Sequence, residues 1–288
     1  LHDPKNFNKS GNFLNRLIFD EILSTFLINS KVRMNIKKEK KSRKIFNNYS
    51  IISIKKKLNY ELTYDQLNSI TEINNDLKSN QKMFRLLQGD VGSGKTIVAL
   101  ISSLNVINSG FQVSFMAPTE ILAKQHYELA NKIFPKNINI DLLTSKTERI
   151  ERKRILNNLK INNINILFGT HSLFQDKIIY KKLGLIIIDE QHKFGVKQRK
   201  KLSDKGGKNC DVLVMSATPI PRTMVMTIFG DMDVSVIKNK PKNRKDIITY
   251  SKLDTKVNEV LSFIDKQIIN RKQIFWVCPL IEESKKVD

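Results

Sequence analysis

Cysteine, long apolar runs and acidic residues are all scarce in this sequence of 288 residues. Its two cysteines, Cys210 and Cys278, are too few for a disulfide scaffold or a four-cysteine zinc site, and they fit a reducing compartment. The longest apolar runs, such as residues 183–188, are far shorter than a membrane-spanning helix, and no apolar stretch typical of a signal peptide opens the sequence. The sequence therefore predicts neither a disulfide-rich secreted domain nor a membrane-spanning one.

The shortage of acidic residues leaves a large positive charge. Against 28 aspartates and glutamates there are 50 lysines and arginines, a net charge of +22. Such a charge favours a polyanionic partner, but the abundance of Lys, Asn and Ile also fits AU-rich codons, which raise lysine everywhere. Between Lys31 and Lys57 eleven basic residues accompany one acid, Glu39. That stretch is predicted to be either a phosphate-facing arm or a solvated linker.

The remaining composition is that of a globular protein, with 40% hydrophobic and 27% charged residues. The length suggests one to three domains. Because the first residue is Leu1 and not methionine, we expect a piece of a longer protein. Residues 13–32 predict an amphipathic helix, since apolar side chains recur there every three or four positions. A basic stretch with one proline, around residues 238–245, predicts a hinge between two parts of the chain.

Short apolar strands alternate with helices after Leu62. We predict strands at residues 83–88, 112–117, 138–143, 164–168, 183–189 and 211–216, and helices at 96–108, 120–134 and 147–162. Thr63 is predicted to cap a further helix that precedes the first strand. Such alternation is typical of an α/β fold in which helices cover both faces of a parallel sheet. Beyond the hinge, a strand, a helix and a strand are predicted at residues 247–251, 256–270 and 273–278.

A phosphate-binding loop follows the first predicted strand. The eight residues 89–96 match the P-loop pattern, whose defining positions here are Gly89, Gly94, Lys95 and Thr96, with Gly92 and Ser93 between them. The glycines let backbone N–H groups converge on phosphate oxygens, and the following helix contributes the positive end of its dipole. In such a loop the lysine reaches the β- and γ-phosphates of ATP, and the threonine hydroxyl binds Mg²⁺.

Two adjacent acids end the strand predicted at residues 183–189. Asp189 is predicted to bind Mg²⁺, directly or through water. Glu190 is predicted to polarise the water that attacks the γ-phosphate. With Lys95, these acids form the predicted catalytic set, and the pairing of one metal-binding acid with one free acid favours hydrolysis of ATP over binding alone.

Further motifs resemble those of superfamily-two helicases, and together they resemble the RecG family of ATP-dependent DNA helicases. The quoted segments are the DExH box 189–192, the Ala-Pro-Thr-Glu segment within 116–126, the Gly-Thr-His segment 169–175 and the Ser-Ala-Thr segment 216–222. Residues 1–4 and 16–23 resemble the connector that follows the wedge domain of that family. Residues 275–284 resemble the start of its second motor lobe. The resemblance divides the chain into a basic helical connector (1–60), a RecA-like, ATP-binding lobe (61–237) and a hinge with the start of a second lobe (238–288).

The resemblance also implies functional roles. The family remodels stalled forks and other branched DNA in recombination and repair, using ATP and Mg²⁺, as a monomeric motor in the bacterial cytoplasm and nucleoid. Forked or branched double-stranded DNA is then the expected partner, and single-strand-binding protein is a candidate protein partner. No association with a membrane is expected. Gln66 is expected to read adenine and Tyr60 to stack on it. The positions expected to contact DNA or couple it to ATP are Thr119, Thr170, His171, His192, Ser216, Thr218 and Arg222.

Some positions depart from the family pattern, and alternatives stay open. Lys193 stands where arginine is usual, Asp65 replaces a small residue, and residues 242–244 replace Pro-Gly-Arg. The arginine-bearing motifs of the second lobe are not among these 288 residues, so we expect slow hydrolysis by this segment alone. One alternative is a translocase of the related Mfd family, which couples transcription to repair, although Ser93 and Gln191 favour RecG. The other is a module that binds nucleotide without turnover.

Overall fold

The computed structural model describes residues 14–24, 27, 31, 40–47, 49–175, 177–189, 207–218, 232–239 and 248–277. It divides into two compact units, residues 1–242 and 243–288. Of the residues predicted to form an amphipathic helix at 13–32, positions 14–24, 27 and 31 are helical. Within the described ranges, no helix combines the length and the apolar character needed to cross a membrane.

The first unit is built on a seven-stranded sheet in which every pairing is parallel. Its strands are β1 (Phe84–Gly89), β2 (Gln112–Met116), β3 (Ile140–Leu143), β4 (Ile166–Gly169), β5 (Leu183–Asp189), β6 (Asp211–Ser216) and β7 (Asp233–Ile237). Their order across the sheet is β3-β4-β2-β5-β6-β1-β7. β2, β5 and β6 are buried along their whole length, as expected for strands covered on both faces.

Helices cover the two faces of the sheet unequally. The helices are α1 (Tyr49–Lys55), α2 (Tyr64–Lys78), α3 (Lys95–Asn108), α4 (Glu120–Ile133) and α5 (Arg149–Lys160). One apolar core joins α2, α3 and α4 to one face, and it includes Ile73, Leu100 and Phe115. A smaller core on the other face includes Ile155 and Leu159 of α5. The α/β architecture predicted from the alternating pattern is confirmed, and it gathers the carboxyl ends of all the strands at one edge.

The predicted elements of this unit agree with the structure to within about two residues, but one helix and one strand were not predicted. β5 and β6 have the predicted bounds, and β3 begins two residues later than predicted. The helix is α1, which lies in the basic stretch where apolar periodicity is weak. The strand is β7, which is short and pairs with β1 at the edge of the sheet. An edge strand of five residues carries little periodicity, so neighbouring β1 decides its conformation.

The second unit contains one long helix, α6 (Val257–Ile269), close to the predicted helix at 256–270. The two strands predicted around it are not formed at the described positions 248–251 and 273–277. A strand exists only through hydrogen bonds to a neighbouring strand. The part of this unit that the structure describes offers no such neighbour, although these segments are apolar enough to pair.

Two lysines of the basic stretch, Lys41 and Lys44, differ from either prediction made for it. Residues 40–47 lie against the first unit: Lys41 N–H donates to Asn80 O (2.9 Å) and Lys44 N–H to Leu77 O (3.2 Å). The side chains of Lys41 and Lys44 are fully buried and converge on Asp211, the first residue of β6. In this part of the stretch, Lys41 and Lys44 are neither phosphate-facing nor solvated. They belong to the amino-terminal edge of the sheet, opposite the P-loop.

We name this buried charge cluster Lys41–Lys44–Asp211. Asp211 Oδ1 accepts from Lys41 Nζ (2.6 Å) and from Met83 N–H (2.7 Å), and Oδ2 accepts from Lys44 Nζ (2.5 Å). Burial lowers the pKa of Lys41 although Asp211 opposes the shift. The adjacent thiol of Cys210 is buried too, and its burial raises its pKa to about 12. The cluster fastens residues 40–47 to the lobe through charge, and Phe46 of the same segment also packs against the apolar core.

Candidate functional site

The P-loop joins the carboxyl end of β1 to the amino end of α3. Gly92 and Gly94 have φ of 76° and 91°, a backbone region that favours glycine. A Cβ on Gly94 would also clash with Gln66 Nε2, so a side chain at this position would displace the Gln66 amide from the P-loop. Gly94 caps α3 without a side-chain hydrogen bond to its first turn. An uncapped helix start beside a glycine loop is a suitable site for a phosphate.

Lys95 and Ser93 point into this loop. Lys95 Nζ donates to the carbonyls of Gly89 (2.6 Å) and Asp90 (3.0 Å), and the residue is 9% exposed. Ser93 Oγ is buried and has no hydrogen-bond partner among the described residues. Binding a phosphate would therefore exchange the carbonyl contacts of Lys95 for stronger contacts with anionic oxygens. Thr96 lies in the first turn of α3 and is partly exposed.

Gln66 connects the start of α2 to the P-loop. Its Nε2 donates to Ser93 O (2.7 Å), and its Oε1 accepts from Thr63 N–H (2.9 Å). Thr63 Oγ1 in turn accepts from Gln66 N–H (3.3 Å), which completes the capping box and confirms the cap predicted at Thr63. Gln66 therefore contacts the P-loop, in addition to the contact with adenine that the sequence predicts. Tyr60 precedes this segment, and partial burial raises the pKa of its hydroxyl.

Removing the cap is expected to weaken the lobe measurably. Thr63→Ala loses the hydroxyl that accepts from Gln66 N–H, and a lost cap costs about 1 kcal/mol. The free energy of unfolding, measured by urea titration with far-UV circular dichroism, should fall by that amount. Thr63→Ser keeps the hydroxyl and serves as the matched control. Equal stability of the Ala and Ser variants would contradict a capping role.

The contacts of Asp65 account for the presence of an acid at this position. Its Oδ2 accepts from the backbone N–H groups of Lys238 and Asn239, at 2.8 Å each. Lys238 follows β7, at the start of the predicted hinge. A small residue could not make these bonds, so this departure ties the first turn of α2 to the segment that leaves the sheet. Asp65 therefore contacts the start of the predicted hinge, and the adjacent Gln66 contacts the P-loop.

Asp189 ends β5 and lies beside a histidine that the sequence had not singled out for a role. His126 Nε2 is 2.9 Å from Asp189 Oδ2, and both residues are 8% exposed. His126 closes the Ala-Pro-Thr-Glu segment quoted above. In the sequence, one observation points to His126: it lies two turns into a helix that begins at the same edge of the sheet. Without the structure, this position is weak evidence for a role.

The Ser-Ala-Thr segment follows β6, whose neighbours in the sheet are β5 and β1. Ser216 Oγ and Thr218 Oγ1 are 3.0 Å apart and share a hydrogen bond. Thr218 O accepts from Gln88 Nε2 (3.2 Å), a residue of β1 just before the P-loop. The structure therefore connects the Ser-Ala-Thr segment to the strand that carries the phosphate loop.

Two other predicted positions also follow strand ends. Thr119 caps α4, and its Oγ1 accepts from Leu122 N–H (3.3 Å). Its neighbour Glu120 accepts from the backbone N–H (2.9 Å) and hydroxyl (2.6 Å) of Ser145, and these bonds lower its pKa. Thr170 precedes a short 3₁₀ helix, His171–Phe174, after β4. These residues share the carboxyl edge of the sheet with the P-loop. The structure does not describe the His171 side chain, nor Glu190, His192 and Arg222.

The residues at this edge suit a magnesium nucleotide better than a free metal ion. No group of three or more His, Cys, Asp or Glu side chains within the described ranges is placed to hold a metal. Thr96 and Asp189 supply only a hydroxyl and a carboxylate. Mg²⁺ commonly keeps several waters and binds through one or two such groups together with phosphates of its substrate. The donor set therefore fits Mg²⁺ that arrives with ATP.

Comparisons with known proteins agree with this geometry. Residues 63–227 match the family model for DEAD/DEAH box helicases. The chain is 43% identical to the ATP-dependent DNA helicase RecG of Aquifex aeolicus and 43% identical to that of Bacillus subtilis, in each case over 100% of its length. It covers 37% and 42% of those proteins, about two fifths of their length.

A solved structure of RecG bound to a three-way DNA junction is also similar. It shares 39% sequence identity with the chain, and the TM-score is 0.82. The likeness covers 93% of this chain and 36% of that one. Because the family model matches more than half of the chain and RecG sequences match all of it, the chain belongs to the DEAD/DEAH box helicase family, in its RecG group.

Proposed function

We propose that the chain is the ATP-binding motor part of a DNA helicase that remodels branched DNA. The observation that carries the proposal is the gathering of Lys95, Asp189 and the Ser-Ala-Thr segment at the carboxyl edge of one parallel sheet, where such sheets bind ligands. The relatives named ATP-dependent DNA helicase, and the related protein solved on a three-way junction, supply the substrate class.

Each residue of the proposed ATP site has its own role in hydrolysis. Gly92, Gly94 and the first turn of α3 hold the phosphates with backbone N–H groups, and Lys95 neutralises their charge. Thr96 and Asp189 would hold Mg²⁺, which would supply charge neutralisation for the phosphates of ATP. Glu190, which follows β5 directly, orients and deprotonates the attacking water.

Coupling to DNA is assigned to the neighbouring strand ends. Thr119, Thr170 and His171 follow β2 and β4, where a nucleic acid backbone lying along this edge would meet them. Thr218 accepts a hydrogen bond from Gln88 beside the P-loop, and Ser216 is hydrogen-bonded to Thr218, so a shift of the Ser-Ala-Thr segment would change contacts next to the ATP site. His192 and Arg222 complete the proposed set from the same motifs. Tyr60 and Gln66 are proposed to receive the adenine.

A junction-dependent hydrolysis assay tests the proposal. With the chain in excess over radiolabelled ATP, a three-way junction should speed hydrolysis more than a linear duplex does. Lys95→Ala is the control, because losing a charge-assisted contact of about 2–3 kcal/mol should weaken ATP binding about 100-fold. Failure to bind ATP would refute the proposal. An equal response to junction and duplex would refute its substrate class, while ATP binding with no hydrolysis at all would favour the module without turnover.

A further inference from the structure

The contact between His126 and Asp189 brings together residues that are 63 positions apart. His126 lies in α4, and Asp189 is the last residue of β5. Their side chains are about nine-tenths buried, and the Nε2–Oδ2 distance of 2.9 Å is that of a hydrogen bond. A carboxylate oxygen accepts hydrogen bonds, so in this pair the imidazole tautomer with a proton on Nε2 is the one that donates to Asp189.

Aromatic packing holds the imidazole in place. The His126 ring lies 5.0 Å from the Phe115 ring, centroid to centroid, and Phe115 stacks in turn on Phe168. Phe115 pairs with Ile187 across β2 and β5. Since side chains alternate along a strand, Ile187 and Asp189 point to the same face of the sheet. The imidazole is therefore confined between an aromatic cluster and the carboxylate, and it has little room to turn away.

We propose that His126 is a positioning residue for the magnesium site. By holding Oδ2, it fixes the Asp189 carboxylate in one orientation and leaves Oδ1 for the metal or a metal-bound water. The inference rests on the proposed function, because it assumes that Asp189 receives the Mg²⁺ of ATP. Partners that orient a ligand in this way commonly change metal affinity about 10- to 100-fold when they are removed.

A purely structural role makes a different prediction. If the hydrogen bond served only to fasten α4 to the sheet, its loss would lower stability and leave the metal dependence of nucleotide binding unchanged. The discriminating quantity is the ratio of ATP dissociation constants measured with EDTA and with Mg²⁺. A structural change that affects both constants equally cancels in this ratio.

The test compares variants of the 288-residue chain by titration with a fluorescent ATP analogue. His126→Phe keeps a ring against Phe115 and removes the donor, and the ratio should fall about tenfold. His126→Gln restores an N–H donor at similar reach and should recover most of the ratio. Glu128→Gln, an exposed change in the same helix, is the matched control and should leave it unchanged. Thermal unfolding identifies any variant that does not fold, and His126→Asn, whose amide is too short to reach Asp189, then replaces the Phe variant.

The outcomes are distinct. A lower ratio in the Phe variant with recovery in the Gln variant supports the positioning role, and Mn²⁺ binding followed by electron paramagnetic resonance in the presence of ADP should weaken in parallel. An unchanged ratio in the Phe variant overturns it, whatever happens to stability. Failure of the unmodified chain to bind ATP would overturn the proposed function and this inference together, whereas normal ATP binding with an unchanged ratio overturns only this inference.

Discussion

Asp211→Asn is expected to destabilise the first unit by about 3–5 kcal/mol, because it removes the one negative charge of the buried Lys41–Lys44–Asp211 cluster. Both lysine side chains are fully buried, and each donates to the Asp211 carboxylate. An asparagine amide cannot neutralise two ammonium groups at this distance. The variant would leave two like charges facing each other away from water, and the segment 40–47 would lose its ionic attachment to β6.

Urea unfolding followed by far-UV circular dichroism measures this loss. The chain's one tryptophan, Trp276, belongs to the second unit, so far-UV circular dichroism, which follows the helices and strands themselves, is the more suitable signal. Asp20→Asn is the matched control, since Asp20 forms an exposed pair with Arg16 that contributes at most about 0.5 kcal/mol. A decrease below about 1 kcal/mol in the Asp211 variant would contradict the burial of the cluster.

A triple variant separates charge from packing. Lys41→Met, Lys44→Met and Asp211→Leu together replace the ions by apolar groups of similar length, which is often neutral or stabilising. Most of the stability lost in Asp211→Asn should return. The Met83 N–H would still lack its acceptor, so a remaining loss of about 1–3 kcal/mol is expected.

Glu190→Gln is expected to slow ATP hydrolysis by about 10²- to 10⁴-fold while ATP still binds. The amide keeps the size of the side chain but cannot take a proton from the attacking water. The proposed phosphate contacts lie elsewhere, at Lys95 and the glycines of the P-loop, so the dissociation constant of ATP should change little.

Single-turnover hydrolysis and equilibrium binding, measured on the same preparation, distinguish these effects. Glu148→Gln, at the start of α5 and remote in sequence from the motifs, serves as the control and should hydrolyse ATP at the unmodified rate. An unchanged rate in Glu190→Gln would refute the role assigned to Glu190. A rate that falls only because ATP no longer binds would refute it equally.

The sheet and the phosphate loop could be predicted from patterns of residues that are neighbours in the chain. The P-loop needs glycines at positive φ next to the start of a helix. Gly92 and Gly94, which are close together in the chain, meet this requirement. β5 is an uninterrupted apolar run that ends in acids, so its bounds could be read directly. The capping box at Thr63 and Gln66 spans only three positions. Each of these features depends on a few residues adjacent in the chain.

Partners far apart in sequence could not be predicted in this way. Lys41 and Lys44 look like any other lysines of a basic stretch, and their acceptor Asp211 stands about 170 positions later. His126 and Asp189, and Asp65 with Lys238, are likewise joined only by the folded chain. β7 becomes a strand because β1 lies beside it.

The α/β class, the phosphate loop, the acidic end of β5 and the helicase resemblance follow from the amino-acid pattern, because backbone preference and apolar periodicity act over a few residues. The contacts of Lys41, Lys44 and His126 depend on the folded chain. A lysine is stable in the interior only where a carboxylate meets it, and a histidine orients a carboxylate only where packing brings the two within hydrogen-bond distance. For this reason the basic stretch became a buried attachment at Lys41 and Lys44, and His126 joined the candidate site.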